Sequence, residues 1–132
     1  MNAAEPPSAH GAYALIIDLD QPTVGLSAGR YVYAGSAYGP GGIGARVARH
    51  LRAAKKPHWH IDRLTAAGRV VDWIAVQDGD ECRILAAALT LPGATVPKPG
   101  FGSSDCRTCP AHLVRASRGV GTAEIAARLD RS

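Results

Sequence analysis

Aromatic side chains are scarce in this chain, whose 132 residues hold four tyrosines, two tryptophans and one phenylalanine. Alanine, leucine, isoleucine and valine must therefore do most of the packing. Cysteine is scarce too, and three is an odd count, too few for a disulfide framework and in keeping with a reducing compartment. No apolar run approaches the roughly 18 to 20 residues of a membrane span, and Met1–His10 is rich in proline and alanine without a signal-type hydrophobic segment. The expectation is a cytoplasmic protein with no membrane partner. There is no internal repeat, no doubled zinc-ligand pattern, and no basic recognition helix beyond Ile43 to Lys56. Acidic residues are outnumbered 11 to 15 by basic ones, and the resulting net charge of +4 leans weakly toward an anionic partner.

At this length the chain fits one domain with one modest core. Tyr13 to Leu19 reads as a buried strand, because both of its alternating faces are largely apolar. Asp20-Gln-Pro-Thr has turn chemistry, and β-favouring residues resume from Arg30 to Ala34, close enough to pair antiparallel with the first strand. Tyr38-Gly-Pro-Gly-Gly42 breaks the chain before a helix that carries Ile43, Val47, Leu51 and Ala54 on one stripe, with Arg46 and His50 at its edge. Lys55-Lys-Pro57 stops it. His58 to Leu64 reads as a short second helix, Val70 to Val76 as a third strand, and Asp78-Gly-Asp80 as a cap for a helix from Glu81 to Leu89. That helix is expected to turn Cys82, Leu85, Ala86 and Leu89 inward and to hold Glu81 on the flank. A proline-rich connection and a polar loop, Phe101 to His112, follow, and Thr122 to Leu129 reads as a terminal helix.

The order of these pieces resembles the GIY-YIG nuclease superfamily. Gly11-Ala-Tyr13 stands where the first motif would, and Tyr33-Ala-Gly35 where the second would. Tyr33-Ala-Gly-Ser-Ala37 followed by Arg46-Val-Ala-Arg-His50 is similar to the tyrosine strand and arginine-histidine helix of that superfamily's homing endonucleases. The likeness is greatest to an uncharacterised branch sometimes fused to endonuclease III-type DNA glycosylases, through His58-Trp-His-Ile-Asp62, Glu81-Cys82 and Phe101-Gly-Ser-Ser-Asp-Cys106. The resemblance implies an α+β fold with a small three-stranded, mainly antiparallel sheet flanked by helices. It also implies a flexible N-terminus over 1–10, a nuclease domain over 11–115 and a helical C-terminal extension over 116–132.

The residue types suit phosphodiester hydrolysis. Glu81 is the candidate ligand for magnesium or manganese, which needs few carboxylates because it keeps most of its waters. The guanidinium of Arg46 matches phosphate geometry. Tyr13 and Tyr33 would divide the tasks of proton acceptor and orienter, with His50 and His58 assisting and Arg49, Lys55 and Lys56 meeting DNA phosphates. A single such site cuts one strand at a time. The implied partner is DNA, with RNA left open, and a DNA-repair protein could supply substrate choice.

Blander readings stand beside these. Tyr13 could fill core space, Arg49 could lie on a solvated face, and His58 and His60 could cap and pack a short helix around Trp59. Glu81 near a helix start is favoured by the dipole by roughly 0.3 to 1 kcal/mol without any metal. Two other functional classes remain: a nucleic-acid-binding module that does not cut, and a zinc-binding or interaction domain. The last would use Cys106-x2-Cys109 with His112, closed by Cys82, against which stands the core position expected for Cys82.

Overall fold

The computed structural model describes residues 10–22, 26–38, 42–51, 68–77, 79–91, 93–96, 113–117 and 119–130. Within them the chain runs β1 (Gly11–Leu19), β2 (Gly29–Ala37), α1 (Gly42–Leu51), β3 (Arg69–Gln77), α2 (Glu81–Leu89), β4 (Leu113–Ala116) and α3 (Thr122–Asp130). The expected second helix at 58–64 lies outside the described residues, as does the loop from Phe101 to His112.

The four strands form one sheet in the order β3-β1-β2-β4, antiparallel at every pairing. The sequence reading expected three strands and missed β4. Only four residues long, Leu113-Val-Arg-Ala116 offers no period to read, yet it pairs with Arg30 to Tyr33 along the outer edge of β2. All nine residues of β1 are buried, as a near-continuous apolar run requires of a strand covered on both faces. The β1–β3 register slips between Ile16 and Ile17, leaving Val71 unopposed and 41% exposed.

Strand alternation sends side chains to two cores. Ala12, Ala14, Ile16, Val32, Ala34 and Ile74 face one way, beneath Ile84, Leu85 and Ala88 of α2 and Ile125 of α3. Tyr13, Leu15, Ile17, Tyr31 and Tyr33 face the other, beneath Ile43 and Val47 of α1. Each large aliphatic buried here contributes about 1.5 to 3 kcal/mol. The helical stripe read for α1 holds at both described positions, since Ile43 and Val47 are fully buried. The stripe read for α2 was out of phase: the helix buries Ile84, Leu85, Ala87 and Ala88, while Ala86 is exposed and Cys82 and Leu89 are partly buried.

Local chemistry sets the helix ends. Asp80 has extended backbone angles and its carboxylate accepts from the Cys82 amide at 2.9 Å, so the expected cap of α2 falls on this residue. At α3 the Glu124 carboxylate reaches back to the Gly121 amide at 2.7 Å. The α3 end is tied to the sheet by an ion pair. Asp18 and Arg30, opposite each other across β1 and β2, meet through both carboxylate oxygens at 2.7 and 2.8 Å, and Arg30 also donates to the Val120 carbonyl at 2.8 Å. The Asp18 hydrogen bond, assisted by its charge, raises the Arg30 pKa against the opposing effect of burial. No helix among the described residues is long and apolar enough to cross a membrane.

Candidate active site

The hairpin register places Tyr13 directly opposite Gly35. A Cβ at Gly35 would overlap the Tyr13 ring, coming within 2.8 Å of Cε1 and closer still to Cζ and the hydroxyl oxygen. Gly35 is therefore required for space and not for an unusual backbone angle, and the tyrosine lies across its own partner strand. Tyr33, on the same face and diagonal to Tyr13, brings the ring centroids to 6.4 Å with the planes inclined at 52°. Thus the two motif tyrosines meet because one register sets a large ring against the residue with no side chain.

Both rings are deep. Tyr13 is 1% exposed and Tyr33 8%. Tyr31, which shares their face, is fully buried and its hydroxyl donates to the Ser27 carbonyl at 2.6 Å, a fastening of the β1–β2 connection. This separates Tyr31 from the pair with which the sequence could confuse it. Helix α1, carrying Arg46, Arg49 and His50, covers the same face through Ile43 and Val47. Gly42, at φ 61°, adopts the left-handed conformation that glycine tolerates, and it opens the helix. The side chains of Arg46, Arg49 and His50 lie outside the described set, and so do Lys55, Lys56 and His58.

Glu81 is the first residue of α2 and is partly exposed. The helix packs on the face opposite the tyrosines through Ile84, Leu85 and Ala88, and Glu81 precedes Ile84 by three residues. The last residue of β3, Gln77, pairs with Gly11, and Gly11 pairs with Ala37, so all three mark one end of the sheet. Tyr38 follows directly, and its hydroxyl donates to the Gly79 carbonyl at 2.6 Å. Two residues span at most about 7 Å, which holds the Glu81 backbone close to this junction. Tyr13 lies two residues in from the same end. The arrangement sets the Glu81 backbone near the end of the sheet from which Tyr13 lies two residues in, on a helix that packs on the other face. Sequence reasoning missed the Tyr38 contact, whose only signal was a tyrosine placed just where a strand gives way to a glycine turn.

Among the described residues no three histidine, cysteine or acidic side chains cluster to hold a metal. Magnesium and manganese do not require such a cluster, and a partly exposed carboxylate fits the one or two protein ligands that magnesium takes. Zinc is a different matter. Cys82 is disulfide-bonded, where the sequence suggested a free, core-facing thiol, and a sulfur in a disulfide is not the thiolate that zinc requires. The other members of that proposed set, Cys106, Cys109 and His112, lie outside the described residues.

Taken together, a four-stranded antiparallel sheet with helices on both faces, and a tyrosine pair beneath a basic helix, define a small α+β domain. The family described as "Domain of unknown function DUF123" matches residues 13–131, and the chain belongs to it. No curated protein and no solved structure matches the chain.

Proposed function

We propose that this chain is a GIY-YIG-type endonuclease domain that hydrolyses phosphodiester bonds in DNA, nicking one strand at a time. The observation that carries this reading is the Tyr13–Gly35–Tyr33 arrangement, in which two phenols lie 6.4 Å apart on the face covered by the arginine-histidine helix. A phenol keeps its proton at neutral pH and only its phenolate accepts one; a neighbouring guanidinium lowers the pKa and so raises the phenolate fraction, and a positioned proton acceptor contributes typically 10²- to 10⁴-fold. Tyr33 is the more accessible of the two and would take the proton from the attacking water. Tyr13, laid over Gly35, would orient its partner. Arg46 would bind the phosphate as a fork, and Glu81 would hold magnesium or manganese. When bound, that ion would neutralise charge on the phosphate and the leaving oxygen. Arg49, Lys55, Lys56, His50 and His58 would add phosphate contacts. Substrate choice would then rest on DNA structure or on a DNA-repair partner, because no sequence-reading element is present in the chain's pattern.

A second reading has its own support. The depth of Tyr13 and the packing of α2 on the other face favour a module that binds nucleic acid without cutting it. One experiment decides between them: nicking of supercoiled plasmid with magnesium or manganese, comparing the wild type with Tyr33→Phe, Arg46→Ala and Glu81→Gln. The nuclease reading expects losses of about 100-fold or more in each variant. Equal traces of cutting in all four proteins would end it. Salt-sensitive binding by a wild type that never nicks would establish the second reading.

A further inference from the structure

We propose that Tyr38 is a positioning residue that fixes the metal-holding end of α2 against the half of the site built on β2 and α1. The proposal rests on the nuclease reading and deepens it, since nothing in the catalytic residue types calls for this tyrosine.

The turn between β3 and α2 is tightly made. The Gly79 amide donates to the Val76 carbonyl at 2.9 Å, and a Cβ on Gly79 would come within 2.6 Å of Val76 Cγ1, so the turn lies flat on the end of its own strand. One residue later Asp80 caps α2 through the Cys82 amide, and its carbonyl accepts from the Arg83 and Ile84 amides. Glu81 sits between these anchors and inherits their position. Tyr38 adds a link from outside the element: its hydroxyl donates to the Gly79 carbonyl at 2.6 Å across 41 residues of chain. The residue stays 53% exposed, with the His10 ring at a centroid distance of 6.0 Å.

An exposed hydrogen bond of this kind adds only about 0.5 to 1.5 kcal/mol to folding. Its larger consequence is geometric. Tyr38 directly follows β2 and stands four residues before α1, and Gly79 stands two residues before the helix that begins with Glu81, so the bond joins the approaches to both halves of the proposed site. Misplacement of a catalytic group by about 1 Å can cost 10²-fold, and losing the partner that orients a metal ligand typically costs 10- to 100-fold. Tyr38 thus acts through Glu81 and touches neither phosphate nor metal.

The test is Tyr38→Phe in the full chain, which removes the hydroxyl and keeps the ring. Three quantities are compared with wild type: manganese binding without DNA, the metal dependence and KM of plasmid nicking, and amide exchange over Gly79 to Ile84. The variant is expected to bind manganese about tenfold more weakly, with the metal midpoint for nicking shifted by the same factor. KM for DNA should stay within about twofold, and exchange at the start of α2 should rise about fivefold while the sheet amides keep their protection. A wild type that nicks, with a Tyr38→Phe variant whose manganese affinity and nicking coincide with it, overturns the positioning role and leaves the nuclease reading intact. A wild type that neither binds manganese nor nicks overturns both.

Discussion

The two faces of the sheet are made from the same strands and do different work. Toward α2 and α3 the strands present Ala12, Ala14, Ile16, Val32 and Ala34, small and aliphatic, and that layer is closed by the Asp18–Arg30 pair reaching to Val120. Toward α1 they present Tyr13, Leu15, Ile17, Tyr31 and Tyr33, so three hydroxyl groups are carried into a buried layer. Among the described residues, the small side chains lie beneath two helices and the large phenols beneath α1. The phenols place polar atoms where an apolar core would have none. The difference teaches that, in the central strands, alternation separates a small aliphatic layer from a phenol-bearing layer one residue apart, and the nuclease proposal assigns its chemistry to the second.

Substitutions that strike one face at a time test this division. The largest stability effect is expected from Asp18→Asn, which leaves the Arg30 guanidinium half-buried beside a neutral partner. Thermal or urea unfolding should show a loss of about 3 kcal/mol, with nicking per folded molecule unchanged. Raised above its ordinary value, the Arg30 pKa gives stability that is complete below that value and lost only as pH climbs through the still higher folded one. From the Arg30 side the pair should therefore add no slope to stability between about pH 6 and 10.

Next comes Gly35→Ala, which forces the Tyr13 ring aside. Overpacking of this kind costs about 2 kcal/mol, and nicking should fall well beyond what that loss unfolds, because the tyrosine pair itself is displaced. Retained cutting in a stable Gly35→Ala protein would break the assignment of chemistry to this face. The smallest effect belongs to Tyr31→Phe, which orphans the Ser27 carbonyl. Unfolding should register about 1 kcal/mol and nicking should hold within about twofold, distinguishing a fastening tyrosine from Tyr13 and Tyr33, the pair to which the proposal gives the chemistry.

Much of this layout is legible in the sequence. β1 declared itself as an apolar run too short for a helix, β2 as its antiparallel partner, and α1 by the spacing of Ile43 and Val47. The phase of α2 was not legible, because Ala86, Ala87 and Ala88 give no contrast between a buried and an exposed side. The Asp18–Arg30 pair was hidden by its 12-residue separation, although the register that sets Tyr13 opposite Gly35 also sets Asp18 opposite Arg30. Of the candidate site, the tyrosines could be read from their motifs and their meeting could not, since it depends on that register. That β3 ends beside Gly11, two residues before Gly79, follows from strand order, which no short motif carries.

That strand order has a consequence for how the molecule is assembled. In β3-β1-β2-β4 the two strands nearest in sequence lie at the centre, and each later strand is added to an outer edge in the order in which the chain is made. No strand has to be threaded between two that have already paired. The tyrosines and Gly35 belong to the first hairpin, within the first 37 residues, whereas Glu81 arrives only when β3 docks on the far side of β1. Growth outward from a local pair thus means that the tyrosine pair is built across the shortest loop in the sheet, and the strand that leads to Glu81 is added by a pairing more distant along the chain.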